Sequence, residues 1–114
     1  MNTLDAFRVV GGQPLQGEIF PQGAKNEALQ VMCAPLLTKE EVTISNIPQI
    51  RDVHRLMDLL RGLGVKVSKI DEHTYSFQAD DLNLDFFHSP AFQENAQKIR
   101  GSVMLIGPLL ARFG

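Results

Sequence analysis

The chain has no tryptophan, one tyrosine and a single cysteine, Cys33, among its 114 residues. One thiol cannot close an internal disulfide, so nothing points to an oxidising compartment. His54, His73 and His88 fall in different segments at no metal-ligand spacing, and the lone Cys33 cannot complete a thiolate site, so no metal site is expected. Excess positive charge is missing as well: eleven Lys plus Arg stand against thirteen Asp plus Glu, a net charge of −2. A nucleic-acid polymer therefore finds no general field to grip, and any anion site must be local. Long apolar runs are also absent. Residues 103–110 are interrupted by Gly107-Pro108 and flanked by Arg100 and Arg112, far short of the roughly 20 residues that span a bilayer. The opening residues lack the basic and then apolar pattern of a secretory leader, so a cytoplasmic protein without a membrane role is the expectation.

What remains is ordinary globular composition, 44% hydrophobic and 21% charged, for one domain or a piece of one. Residues 7–10 are a short β-branched run and residues 15–20 alternate before Pro21, which predicts two strands. Leu29, Met32, Cys33, Leu36 and Leu37 then form a stripe of period 3.6, predicting a helix over 25–38 that kinks or ends early at Pro35. Residues 42–47 alternate as a strand ending at Pro48, and Asp52 can cap the next element. Val53, Leu56, Met57, Leu60 and Leu63 make a second helical stripe closed by Gly62 and Gly64. Strands follow at 65–67, at 75–79 and, after the turn Asp80-Asp81, at 82–86. The last segment, 90–112, reads as one long helix. It has almost no polar face between Arg100 and Arg112, so it should be covered by more polypeptide, by a partner or by a second copy through self-association. The element order gives an α/β (α+β) class: one complete unit followed by the start of another.

Candidate chemistry centres on Gly23-Ala24-Lys25-Asn26, between a strand and a helix. Glycine permits a tight turn, the first helical N–H groups lack internal partners, Lys25 adds a positive charge, and the Asn26 amide both donates and accepts. A plain turn carrying a solvated lysine is the alternative. Arg100 is a second candidate, because a guanidinium interrupting an apolar helix needs an anion, the carboxylate of Glu94 or a route to solvent. Cys33 lies on a core stripe and reads as a small unreactive hydrophobe. His54 reads as a boundary residue, and Glu40-Glu41 and Asp80-Asp81 as solvated turn charges.

Leu15-Gln16-Gly17-Glu18, Gly23-Ala24-Lys25-Asn26, Asn46-Ile47-Pro48 with Asp52-Val53, Leu63-Gly64-Val65-Lys66-Val67, and Arg100-Gly101-Ser102 running on to residues 107–114 occur in that order. Together they resemble the N-terminal part of the enolpyruvyl transferases that act on UDP-N-acetylglucosamine. The shikimate-phosphate enolpyruvyl transferases match less well. The resemblance implies two inside-out α/β barrel domains of repeated βαβαββ units, with substrates bound between them. Residues 1–21 would belong to the other, C-terminal domain, and residues 22–114 would be the first, incomplete part of the N-terminal domain. It implies transfer of the enolpyruvyl group from phosphoenolpyruvate to the sugar 3-hydroxyl in peptidoglycan precursor synthesis, with no cofactor and no nucleic-acid partner. Lys25 and Asn26 would bind phosphoenolpyruvate and Arg100 the nucleotide sugar, while Arg112 would be structural at a helix end. The family's general-acid cysteine would follow Gly114, so Cys33 is not that residue and the piece alone should be inactive. Met104 stands where many relatives carry tryptophan. The rival reading is a free-standing α/β module that binds an anion or a protein partner without catalysis; the length of the encoding reading frame separates the two.

Overall fold

The computed structural model describes residues 5–98 and 100–114, residues 100–102 by their backbone alone. Helix α1 (Lys25–Val31) carries the first stripe. It ends at the Met32-Cys33 joint because Pro35, which has no N–H to continue the ladder, opens a separate 3-10 turn (Ala34–Leu37). Leu29, Met32, Cys33 and Leu36 are buried as their spacing requires, whereas the tighter 3-10 geometry turns Leu37 outward to 54% exposure.

Strands β1 (Glu41–Ile44), β2 (Lys66–Asp71) and β3 (Thr74–Gln78) make one sheet in the order β1-β3-β2, with β3 antiparallel to both neighbours. Register sets Val42, Phe77 and Val67 in one row, and Thr43, Ser76 and Ser68 in the next. Successive rows face opposite sides of a sheet, so one side is apolar and the other polar. Helix α2 (Arg51–Leu63) contributes Val53, Leu56, Met57, Leu59, Leu60 and Leu63 to the same core as Phe77, none more than 1% exposed. Burying that many large aliphatic side chains, each contributing roughly 1.5–3 kcal/mol, is the main force holding helix to sheet. Gly64 ends α2 at φ 104 in the left-handed region, and a Cβ there would lie 2.6 Å from the Asp81 carbonyl oxygen.

Four expectations need correction. Residues 7–10 and 15–20 form no strand; Phe7, Leu15, Ile19 and Phe20 are exposed, and no other described segment pairs with them. A strand is stable only when its backbone groups find a ladder. Residues 82–86 also form no strand. The Asn83 N–H instead donates to the Leu63 carbonyl at 2.6 Å, and the Asn83 side chain caps a 3-10 turn, Leu84–His88. Phe86 then packs over Gly62, where any Cβ would collide with its ring. The single long helix at 90–112 is three pieces: α3 (Pro90–Ala96), a 3-10 stretch (Arg100–Leu105) and α4 (Ile106–Phe113). Ser89 caps α3, Gly101 weakens the stretch between, and Pro108 sits in the first turn of α4 where its missing N–H is harmless. Asp52, finally, is no cap: α2 starts after Ile50 without a side-chain cap and Asp52 lies in its first turn.

Leu105 and Leu109 tie the last segment into the core, while Val103, Ile106 and Leu110 remain 55–60% exposed. Among the described residues no helix is long and apolar enough to cross a membrane. The class is therefore a mixed helix and strand fold with a small antiparallel sheet, in the order α1, β1, α2, β2, β3.

Candidate functional site

The approach to α1 is set by a close backbone crossing. A Cβ on Gly23 would overlap the Asn46 carbonyl oxygen and lie 3.2 Å from Cδ of Pro48, so this position admits only glycine without a shift of the loop. Asn46 itself has φ 58, a left-handed conformation that asparagine tolerates better than most residues. This loop is fastened to the β2–β3 hairpin. The Ile47 N–H donates to the His73 carbonyl at 2.8 Å, and His73 Nδ1 lies 2.9 Å from the Ile47 carbonyl. Gln49 Nε2 donates to the Tyr75 hydroxyl at 2.9 Å and to the Glu72 carbonyl. The starts of α1 and α2, on either side of the loop, are thereby held together.

Lys25, the first residue of α1, places its Nζ 3.1 Å from Oδ2 of Asp52 in the first turn of α2. A cation at the N-terminal end of a helix meets the positive end of the backbone dipole, and the carboxylate from the neighbouring helix offsets this. Both side chains border an open cleft of about 490 Å³. Its polar wall is Lys25, Asn26, Gln30 and Asp52, with Lys98 across from α3's end; Leu29, Val103 and Met104 supply an apolar floor. Two ammonium groups, two carboxamides and one carboxylate around such a floor suit a small anion attached to a less polar body.

Lys25 and Asn26 both line this one cleft. Helix α1 is only seven residues long, so its end makes no anion site by itself, and the groups in the cleft able to meet an anion are the side-chain cations and amides. The side chain of Arg100 lies outside the described residues, and the Glu94 carboxylate considered for it pairs with Lys98 at 3.9 Å. Asp52, Gln30 and Lys98 also line the cleft, and the sequence pattern does not single them out for it. Only the juxtaposition of α1 with α2 and of α3 with the cleft reveals them, although the Asp52-Val53 block offered a hint.

The other polar residues serve the fold. Cys33 donates its Sγ hydrogen to the Leu29 carbonyl at 3.4 Å, and burial pushes its thiol up to about 12, so it is neither nucleophile nor acid at neutral pH. Asp80 is not a free turn charge: Lys66 lies 3.0 Å away and its hydrogen bond holds the carboxyl below the usual range. Asp71 is held low in the same direction by the His73 N–H at 2.9 Å. His54 is exposed on α2. No cluster of three metal-binding side chains occurs among the described residues. Arg112 proves structural through contacts beyond its own helix end, since its Nη1 donates to the carbonyls of Leu36, Thr38 and Ala79.

Comparison with known proteins defines the class. The sequence matches the EPSP synthase (3-phosphoshikimate 1-carboxyvinyltransferase) family over residues 9–114, and the chain belongs to that family. Within it the similarity is to UDP-N-acetylglucosamine 1-carboxyvinyltransferases. The Bacteroides thetaiotaomicron protein of that name is 54% identical over 109 residues, covering 96% of this chain and 25% of the relative. That of Porphyromonas gingivalis is 53% identical with the same coverage, and that of Helicobacter pylori 38% over 110 residues, again 96% and 25%. The chain therefore spans about a quarter of the length of these relatives.

Proposed function

We propose that this chain is part of an enolpyruvyl transferase that moves the enolpyruvyl group of phosphoenolpyruvate to the 3-hydroxyl of UDP-N-acetylglucosamine, the entry to peptidoglycan precursor synthesis. The observation that carries the reading is 53–54% identity across 96% of the chain to relatives of that name, with Lys25 and Asn26 on one cleft wall. In this reaction the sugar 3-hydroxyl gives up its proton as its oxygen bonds to C2 of phosphoenolpyruvate, while C3 takes a proton. The C2–O bond to phosphate then breaks, C3 gives up a proton, and the enolpyruvyl ether and inorganic phosphate leave. Negative charge accumulates on the departing phosphate, where the Lys25 ammonium acts, because a cation already held in place stabilises such charge without the reorganisation that solvent needs. The Asn26 amide orients the three-carbon acid beside it, and Arg100 contacts the nucleotide sugar.

In this reading residues 22–114 begin the first of two domains built from repeated βαβαββ units as an inside-out barrel, and residues 1–21 belong to the second. Two strand-like segments, 7–10 and 15–20, with no ladder partner among the described residues, and the exposed side of α4 support that division. The general acid lies outside this chain, which is inactive on its own. Isolated, its bare α4 face drives self-association; light scattering over a dilution series checks this, and a compact monomer at every concentration contradicts it.

The test uses the intact protein encoded by the reading frame that contains this chain. Phosphate should be released only when both substrates are present, and Lys25→Ala should reduce kcat/KM by about 100-fold or more. Near-normal turnover by the Lys25 variant would remove the assignment.

A further inference from the structure

A carboxylate paired with a lysine of a proposed anion site is a puzzle of sign. Asp52 adds negative charge to the wall of a cleft proposed to receive anions, and on Coulomb's law alone its removal should tighten anion binding. Nor does the pair serve the fold to any great extent. The Lys25 side chain is 51% exposed and that of Asp52 30%, and ion pairs this open to water contribute little stability.

We propose that Asp52 is a positioning residue: its carboxylate holds the Lys25 ammonium against the cleft wall and leaves the remaining hydrogens of that ammonium free for an anionic ligand. The identity of the ligand as phosphoenolpyruvate rests on the proposed function above; the coupling of the two residues does not. An ammonium group has three donors, and the 3.1 Å contact with Oδ2 uses one of them. Without a counter-ion, a half-exposed lysine stem with four rotatable bonds samples many rotamers, and each ligand must select the useful one. Asp52 can fix the rotamer because it is itself fixed. It lies in the first turn of the 13-residue helix α2, where the helix dipole favours a carboxylate. The loop leading into that turn is fastened to the β2–β3 hairpin through Ile47, Gln49, His73 and Tyr75. Gly23 allows α1 to start against the same loop. The geometry is thus a bridge, Asp52 to Lys25 to ligand, on a rigid base.

The experiment is a double-mutant cycle in the intact protein: wild type, Asp52→Asn, Lys25→Ala and the double variant, with phosphoenolpyruvate and inorganic phosphate binding measured by calorimetry. Asp52→Asn should weaken binding of both anions about tenfold despite removing a negative charge, and should change nothing further when Lys25 is already alanine. Asp52→Glu should recover part of the loss, which keeps the test usable if the asparagine variant folds poorly. In turnover assays the KM for phosphoenolpyruvate should rise while that for the nucleotide sugar stays put. Unchanged or tighter anion binding by Asp52→Asn overturns the proposal, as do equal losses in both Lys25 backgrounds or no anion binding by wild type. A wild type that binds phosphoenolpyruvate without transferring its enolpyruvyl group instead sinks the reading of the reaction, and the cycle still judges Asp52.

Discussion

Arg112→Ala is expected to destabilise the chain well beyond an ordinary surface substitution. Its Nη1 lies 2.9 Å from the Leu36 carbonyl, 3.2 Å from that of Thr38 and 2.7 Å from that of Ala79. One nitrogen has two hydrogens, so two acceptors are fully served and the third shares. Leu36 and Thr38 close the 3-10 turn after α1 and Ala79 follows β3, so a single side chain ties α4 to two separate segments. A hydrogen bond to a charged donor contributes about 1.5–3 kcal/mol, which for two such bonds sets an upper bound near 3–6 kcal/mol. The guanidinium is only half-buried and water reaches the released carbonyls, so the expected loss is about 2–3 kcal/mol. Its stacking 5.0 Å over the Phe113 ring adds about 0.5 kcal/mol at an exposed site. With a urea slope of about 1–2 kcal/mol per molar for a chain of this size, the unfolding midpoint followed by far-ultraviolet circular dichroism should fall by roughly 1–2 M. Arg112→Lys, a point charge without the planar fork, should recover only part of this. A midpoint that stays within about 0.3 M of the original at unchanged slope would refute the reasoning, since mutational losses of that size are typical of surface sites.

A further expectation concerns Cys33. Its folded thiol, at about 12, holds its proton more tightly than the unfolded thiol at 9.0, so this contribution to stability is fully present below about pH 9 and declines as pH rises towards 12. At pH 8 a thiol-specific reagent should label Cys33 only in denaturant; rapid labelling of the native chain would show the helix stripe to be open. Together with the Lys25, Asp52 and self-association tests, these outcomes bear on fold and site separately.

The elements visible in advance were those whose cause is local. Val53, Leu56, Met57, Leu60 and Leu63 repeat with the period of a helix, and a helix supplies its own hydrogen bonds, so the stripe sufficed. Pro35 ended α1 as its chemistry demands. Strands depend on partners elsewhere. The alternation at Leu82, Leu84 and Phe86 matched that of Tyr75, Phe77 and Ala79, yet only the latter found free neighbours, and nothing in either segment says which edges are open. Lys25 and Asn26 were visible for a similar reason of locality, being adjacent on a distinctive turn. Asp52 was seen as a cap because its local surroundings suggest one, whereas its pairing with Lys25 depends on two helices meeting in space.

The order of the sheet has a consequence for how the chain is made. The middle strand, β3, is the last of the three to be synthesised, and Glu41 must wait for Gln78 before its ladder can form. Until then β1 emerges from the ribosome as an unmatched edge, and the slow, long-range closure of the sheet rather than the quick coiling of α2 sets the pace of folding. Arg112, arriving later still, works as a latch that is thrown only after the door has shut.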